Sequence, residues 1–256
     1  MKKFMMLLLA LVMVLSLAAC GGKGGLTVEE GKLHMSTNAE FPPYEMVTND
    51  GGFEGIDVEV AGLIAQKLGL ELVVDDMGFT AALEAVQNGR SDIAMAGITV
   101  NEERLANMDF TDSYATGIQV VIVPEGSSIT TVDDLSNAPL IGTQEGTTGY
   151  IYCSDKPENG GYGEDHVVAY ETGAVAIQAL LAGQVDCVVI DNQPAQEYVK
   201  ANPGLKILDT EFAVEDYAIA VKKGNSQLLE QVNKALGELI ADGSVQKVVD
   251  TYITAD

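Results

Sequence analysis

Leu33-His34-Met35-Ser36-Thr37 followed by Asn38-Ala39-Glu40-Phe41-Pro42-Pro43-Tyr44-Glu45 reads as a strand that breaks into a rigid loop. Pro42 and Pro43 can neither continue a strand nor enter a helix interior, so the loop holds Phe41 and Tyr44 in place. Beyond it, Asp57 is positioned to cap a helix in which Val60, Leu63, Ile64 and Leu68 recur at helical spacing and which Gly69 ends. Glu71–Asp75 is the next strand. The alternation continues through strand candidates Asp92–Ala96, Ile118–Val123, Leu140–Thr143, Val167–Tyr170, Asp186–Ile190, Lys206–Leu208 and Tyr217–Val221. Helical patterns cover Ala81–Gln87, Ala174–Leu181, Gln193–Ala201, Asn225–Ala241 and Ser244–Tyr252. Strand and helix alternating at this interval predict an α/β fold with mostly parallel strands.

Ile118–Val123 runs into Pro124-Glu125-Gly126-Ser127-Ser128, a turn-rich break expected to carry the chain from one lobe to another. A return crossing is expected near Glu211–Glu215. Two crossings make the first lobe discontinuous, residues 32–121 plus 214–256, with residues 122–213 as the second lobe. The final two helices end without a strand and must pack onto what is already built.

The first 20 residues have the layout of a secretory signal: Lys2 and Lys3, an apolar run from Phe4 to Leu15, and small residues before a cut site. The apolar stretch is shorter than the ~20 residues a membrane span needs. Leu17-Ala18-Ala19-Cys20 resembles the bacterial lipoprotein motif, in which the cysteine is diacylated before cleavage; an ordinary signal ending near a cysteine is the plainer alternative. Two acyl chains give stable anchoring, with residues 21–31 as a glycine-rich tether. The net charge of −24 disfavours nucleic acid and anionic lipid as partners. Cys153 and Cys187 are expected as two small buried thiols, a bridge being the alternative. His34 and His166 stand far apart with no ligand spacing, so no metal is expected.

Three further segments carry chemistry. In Ala96-Gly97-Ile98-Thr99-Val100-Asn101-Glu102-Glu103-Arg104, Gly97 permits close backbone approach and Thr99 offers a hydroxyl and an N–H. Arg104 falls in the first turn of a short helix, where the helix dipole disfavours a cation. It fits there if it grips a carboxylate through two parallel hydrogen bonds; a surface salt bridge to Glu102 or Glu103 is the alternative. Gly142-Thr143-Gln144-Glu145-Gly146-Thr147-Thr148-Gly149 lacks the lysine of a phosphate loop, so no nucleotide is expected, but a glycine-flexed turn into a helix presents free N–H groups. Asp191 ends an apolar strand, either capping the next helix or facing an ammonium group. Together these offer an arginine for a carboxylate, an aspartate for an ammonium, and aromatics for a side chain, the three parts of an amino-acid zwitterion.

The same segments, in this order, with Asp57 and its helix and Asp109-Phe110-Thr111, resemble family 3 extracellular solute-binding proteins, the polar amino-acid receptors of ABC importers. The resemblance covers essentially everything after the tether. It implies a two-lobed fold of the type II periplasmic-binding-protein kind, each lobe a mostly parallel sheet flanked by helices. It implies that Phe41 and Phe79 sandwich the ligand side chain, and that Arg104 holds the α-carboxylate with the backbone of Thr99 and Thr148. Asp191 and the Gly97 carbonyl would take the ammonium, Gln144 would touch the side chain, and Tyr217 would close the cleft floor. Tyr44 and Thr147 join the expected site as neighbours of these groups. Members selecting cationic side chains often carry an acid at the position of Asn38; the amide here favours a neutral polar ligand, with glutamine as the leading expectation. The implied protein is extracytoplasmic, lipid-anchored and monomeric, works with a membrane permease, uses no cofactor and is not an enzyme. A sensor for a membrane receptor and a dehydratase-like enzyme on the same fold are the rival readings.

Overall fold

The computed structural model describes residues 25–138 and 140–253. The signal-like segment, Cys20 and the first part of the glycine tether lie outside the described residues.

The chain lays down β1 (Lys32–Thr37), then a small antiparallel sheet of β2 (Glu40–Phe41), β3 (Glu45–Val47) and β4 (Phe53–Glu54). The helix Ile56–Leu68, β5 (Glu71–Asp76), the helix Phe79–Gln87, β6 (Ile93–Ala94) and the helix Glu102–Asn107 follow. β7 (Met108–Pro124) is a 17-residue strand. After it come β8 (Ile141–Gln144), β9 (Val167–Tyr170), β10 (Cys187–Asp191) and β11 (Leu205–Ile207), with helices Thr148–Ser154, Gly173–Leu181 and Asn192–Ala201 between them. β12 (Ala213–Lys222) and the helices Ser226–Ala241 and Ser244–Tyr252 close the chain.

One nine-stranded sheet runs β5-β1-β6-β12-β7-β10-β8-β9, with β11 beside β7. Both flanks are parallel, as the alternation predicts: β5, β1 and β6 on one side, β10, β8 and β9 on the other. The middle is antiparallel, because β7 and β12 run against each other and serve both flanks. Met108–Gln119 of β7 pairs with β12, while Gln119–Ile122 pairs with β10 and Ile122–Pro124 with β11. The expected strand Ile118–Val123 is therefore only the last part of a longer one. Its first part was hidden by Asp109, Asp112 and Ser113, which interrupt any apolar alternation.

Apolar side chains gather on both flanks. Ile56, Val60 and Ile64 of the first helix, together with Leu228, Val232 and Leu236, bury against Leu33, Met35 and Ile219. On the other flank Ile122, Ile177, Leu180, Val188 and Ile190 pack together. Each such side chain contributes about 1.5–3 kcal/mol on burial. Cys153 and Cys187 are buried and unbridged, and burial pushes the Cys187 thiol up to about 12.

Asp57 does not cap its helix. That helix begins at Ile56 with Gly55 at the cap position, and no side chain caps it. Gly55 has φ +126°, and a Cβ there would come within 2.3 Å of the Tyr44 carbonyl oxygen. Freed from capping, the buried Asp57 carboxyl accepts the Gly97 N–H at 3.0 Å, a contact across 40 residues that local capping rules do not foresee.

The start of β1 is tied down by charge. Asp92 accepts N–H groups from Val28 and His34 at 2.7 and 2.8 Å, and the His34 ring lies 2.8 Å from Asp75 and 3.3 Å from Glu29. Partial burial works against the charged ring, but the hydrogen bonds to Asp75 and then Glu29 outweigh it and lift its pKa above the ordinary value. A raised folded-state pKa stabilises the fold most fully below the unfolded value and loses that contribution as pH rises through the folded one. His34→Gln is thus expected to lower the melting temperature most below about pH 6.5 and progressively less in alkali. A loss that does not vary with pH would show that the charge on this ring contributes nothing.

Candidate functional site

The C-terminal ends of β1 and β8 and the turns after β6 and β10 converge on one cavity. Its lining includes Asn38, Phe41, Phe79, Gly97, Thr99 and Arg104 from one flank. Gln144, Thr147, Thr148 and Asp191 line it from the other. Ten of the twelve expected residues therefore meet in one place. Tyr44 and Tyr217 do not line it; they border an adjoining small cavity that shares Asp191. The main cavity is about 20 Å³, roughly room for one water.

Local chemistry aims each group. Asn101 caps the helix Glu102–Asn107 by accepting the Arg104 N–H at 2.8 Å. The guanidinium then folds back, donating to the Thr99 carbonyl at 2.8 Å and across the cleft to the Gly146 carbonyl at 3.2 Å. The Phe79 ring lies 5.4 Å beneath it. Gly97 has φ +54°, and a Cβ there would meet the Phe41 ring at 2.8 Å, so only glycine lets that aromatic approach. Thr147 caps the helix Thr148–Ser154. Gln144 donates to the Asn38 side-chain oxygen at 2.9 Å and to the Glu171 carbonyl at 3.2 Å, joining the flanks through two amides.

Arg104 is 6% exposed, and among the described residues no carboxylate forms an ion pair with it. The surface salt bridge to Glu102 or Glu103 does not form. Burial lowers the guanidinium pKa, against the charges of Glu215 and Asp191, which raise it. Acids gather around Gly97 and Asp191. Burial, aided by the charge of Glu215, pushes Asp191 up to about 8, and burial lifts Asp57 to about 6. Glu45, also on the cavity wall, is pushed well up by burial and then by the charge of Asp57. Neither Glu45 oxygen has a hydrogen-bond partner among the described residues. Asp191 sits at the cap position of the helix Asn192–Ala201 but makes no cap hydrogen bond; instead it accepts the Tyr217 hydroxyl. One buried cation, an acidic corner, two aromatic rings and two amides thus line the same small cavity.

Glu215 escaped the sequence reading. It is 5% exposed and accepts hydrogen bonds at 3.0 Å from the Thr99 hydroxyl, the Gln119 amide and the Thr148 hydroxyl. Thr148 was expected to act through its backbone beside Arg104; its side chain is bound to Glu215. Among the described residues no cluster of His, Cys, Asp and Glu is suited to hold a metal.

Residues 33–255 match the family described as bacterial extracellular solute-binding proteins, family 3. A probable histidine-binding protein of Neisseria gonorrhoeae is 31% identical over 264 residues, covering 100% of this chain and 97% of that protein. The arginine-binding extracellular protein ArtP of Bacillus subtilis (strain 168) is 30% identical over 261 residues, covering 100% of both. Among solved structures, an ancestral arginine-binding protein bound to glutamine aligns with a TM-score of 0.80 at 37% identity, covering 89% of this chain and 100% of that one. The type II periplasmic-binding-protein fold is thereby shown.

The Tyr217 ring needs the glycine opposite it. A Cβ on Gly117 would come within 2.2 Å of the Tyr217 ring and hydroxyl, and Gly117 pairs with Glu215, two residues before Tyr217, in the β7–β12 register. Gly117→Ala is expected to displace the ring and cost about 1–3 kcal/mol by overpacking, read as a lower midpoint in urea. An unchanged midpoint would mean that the ring moves aside freely.

Proposed function

Because the chain belongs to the bacterial extracellular solute-binding proteins of family 3, we propose that it captures one amino acid in this cavity and hands it to the permease of an ABC importer. Its family and relatives are binding proteins, not enzymes. The observation that carries the reading is the buried Arg104 guanidinium, without a carboxylate partner, on the same small cavity as Asp191. A buried charge without a counterion is costly; an incoming α-carboxylate supplies the counterion, while Asp191 receives the α-ammonium.

Residues 32–121 with 214–256 form one lobe and 122–213 the other, and they close about β7 and β12 by a hinge motion of the kind binding proteins use. Closure excludes water and strengthens the charge pairs inside. The side chain of the ligand lies between Phe41 and Phe79, its end against Asn38 and Gln144. Two amides with no acid at that end favour a neutral polar side chain, and glutamine is the leading ligand. A cationic side chain is the second reading, favoured by the excess of carboxyl groups (Glu45, Asp57 and Asp191) over one guanidinium. Diacylated Cys20 holds the protein, as a monomer, at the outer face of the membrane.

A thermal-shift screen of the common amino acids tests the central reading. A ligand at 100 times its Kd stabilises the fold by about 2.7 kcal/mol, and Arg104→Ala and Asp191→Ala are each expected to abolish that shift while the variants stay folded. If no amino acid raises the melting temperature, the assignment fails. Protons give a second check. Asp191, at about 8 when the site is empty, must ionise to take an ammonium group, so binding near pH 7 releases a proton and affinity rises with pH toward about 8. Calorimetry in buffers of different ionisation enthalpy should detect that proton; heats independent of the buffer would remove Asp191 from the role.

A further inference from the structure

We propose that Glu45 is a further binding residue of this cavity and acts as a neutral acid, its hydroxyl donating to Asp57 and its carbonyl oxygen serving the ammonium end of the ligand. This rests on the reading of the cavity as an amino-acid site. Glu45 is fully buried, lines the cavity and opens β3 opposite Phe41 in the β2–β3 pairing. The loop before it is pressed against the start of the first helix. The Asp57 N–H donates to the Tyr44 carbonyl at 2.9 Å, and a Cβ on Gly55 would come within 2.9 Å of the Glu45 nitrogen. That contact brings the two buried carboxyl groups together.

Written as two carboxylates, the pair is unsatisfied. Asp57 Oδ2 accepts the Gly97 N–H at 3.0 Å, but Asp57 Oδ1 and both Glu45 oxygens have no hydrogen-bond partner among the described residues. Buried polar atoms are almost always paired, and adjacent carboxylates in a dry site repel each other. One proton removes both faults, because a protonated carboxyl gains a donor and keeps an acceptor. Burial and then the charge of Asp57 push Glu45 well above its ordinary value. Asp57 is lifted by burial only to about 6, since the Gly97 N–H and then the Tyr114 hydroxyl favour its charge, so the proton belongs on Glu45. Asp191 at the end of β10 and Asp76 at the end of β5 also disfavour a charge there. The neighbouring Tyr44 and Tyr114 hydroxyls, raised by burial, stay protonated. Asp191 lines the same cavity and acts on Glu45, which puts Glu45 at the ammonium end. An ammonium group carries three N–H donors. Asp191 and the Gly97 carbonyl account for two of them in the proposed site, and Glu45 accepts the third without adding a buried negative charge.

The test compares the unmutated chain with Glu45→Gln, which keeps a donor for Asp57 and a carbonyl oxygen for the ligand, and Glu45→Ala, which removes both. Calorimetry near neutral pH with L-glutamine, L-arginine and L-histidine reads affinity. Infrared spectroscopy of the empty protein reads the C=O stretch of protonated carboxyl groups. That band is expected in the unmutated chain near neutral pH, with a component that Glu45→Gln removes. Glu45→Ala is expected to weaken binding about tenfold, the scale of one buried hydrogen bond, and Glu45→Gln to recover most of that loss. Equal losses in the two variants would overturn the proposal, since the ligand would then need a carboxylate. Unchanged affinity in Glu45→Ala would overturn it too, as would a band that Glu45→Gln leaves intact. If none of the three amino acids binds the unmutated chain, the amino-acid reading fails instead, and the infrared component alone decides the proton between Glu45 and Asp57.

Discussion

A guanidinium buried without a carboxylate is the constraint on which the rest of the site depends. The nearby charges of Glu215 and Asp191 favour the charged form of Arg104 against burial, and the backbone carbonyls of Thr99 and Gly146 and the face of Phe79 surround it. Those neighbours solvate a cation partially; they do not neutralise it. The same cavity is lined by Asp191 and Glu45, whose carboxyls burial pushes toward the neutral form. A guanidinium without a carboxylate partner and a set of buried acids thus share one small volume.

The acids make this site sensitive to protonation. Burial lifts Asp191 to about 8, so that it holds a proton near neutral pH in the empty site, whereas Asp57, lifted to about 6, is largely ionised there. A buried acid that stays neutral in the empty site avoids adding to the repulsion among neighbouring buried carboxyl groups. The overall charge of −24 says nothing of this, since surface acids are solvated and these are not.

The antiparallel pair β7 and β12 unites the two flanks in one sheet and also feeds side chains into the site. Gln119 on one strand and Glu215 and Tyr217 on the other reach groups from both flanks. The two strands therefore touch groups from both flanks directly, without a relay through the cores.

Much of this was written in the sequence. Strand and helix alternation, the proline-stiffened loop bearing Phe41, and Arg104 in a helical first turn follow from short-range rules of backbone geometry and charge, which act within a few residues. The zwitterion reading followed from three such segments taken together. Other features arose only on folding. Asp57 looks like a cap because capping is judged locally, yet its partner is the N–H of Gly97, brought beside it by the packing of the first helix. Glu215 is one acid among 38, in a run with no distinguishing spacing. Its role depends on the pairing of β12 with β7, which places it among Thr99, Gln119 and Thr148 from distant parts of the chain. Residue type and spacing declare what a group can do; which groups share a dry cavity is decided by strand pairing across a hundred residues, a long-range energy that no local pattern encodes.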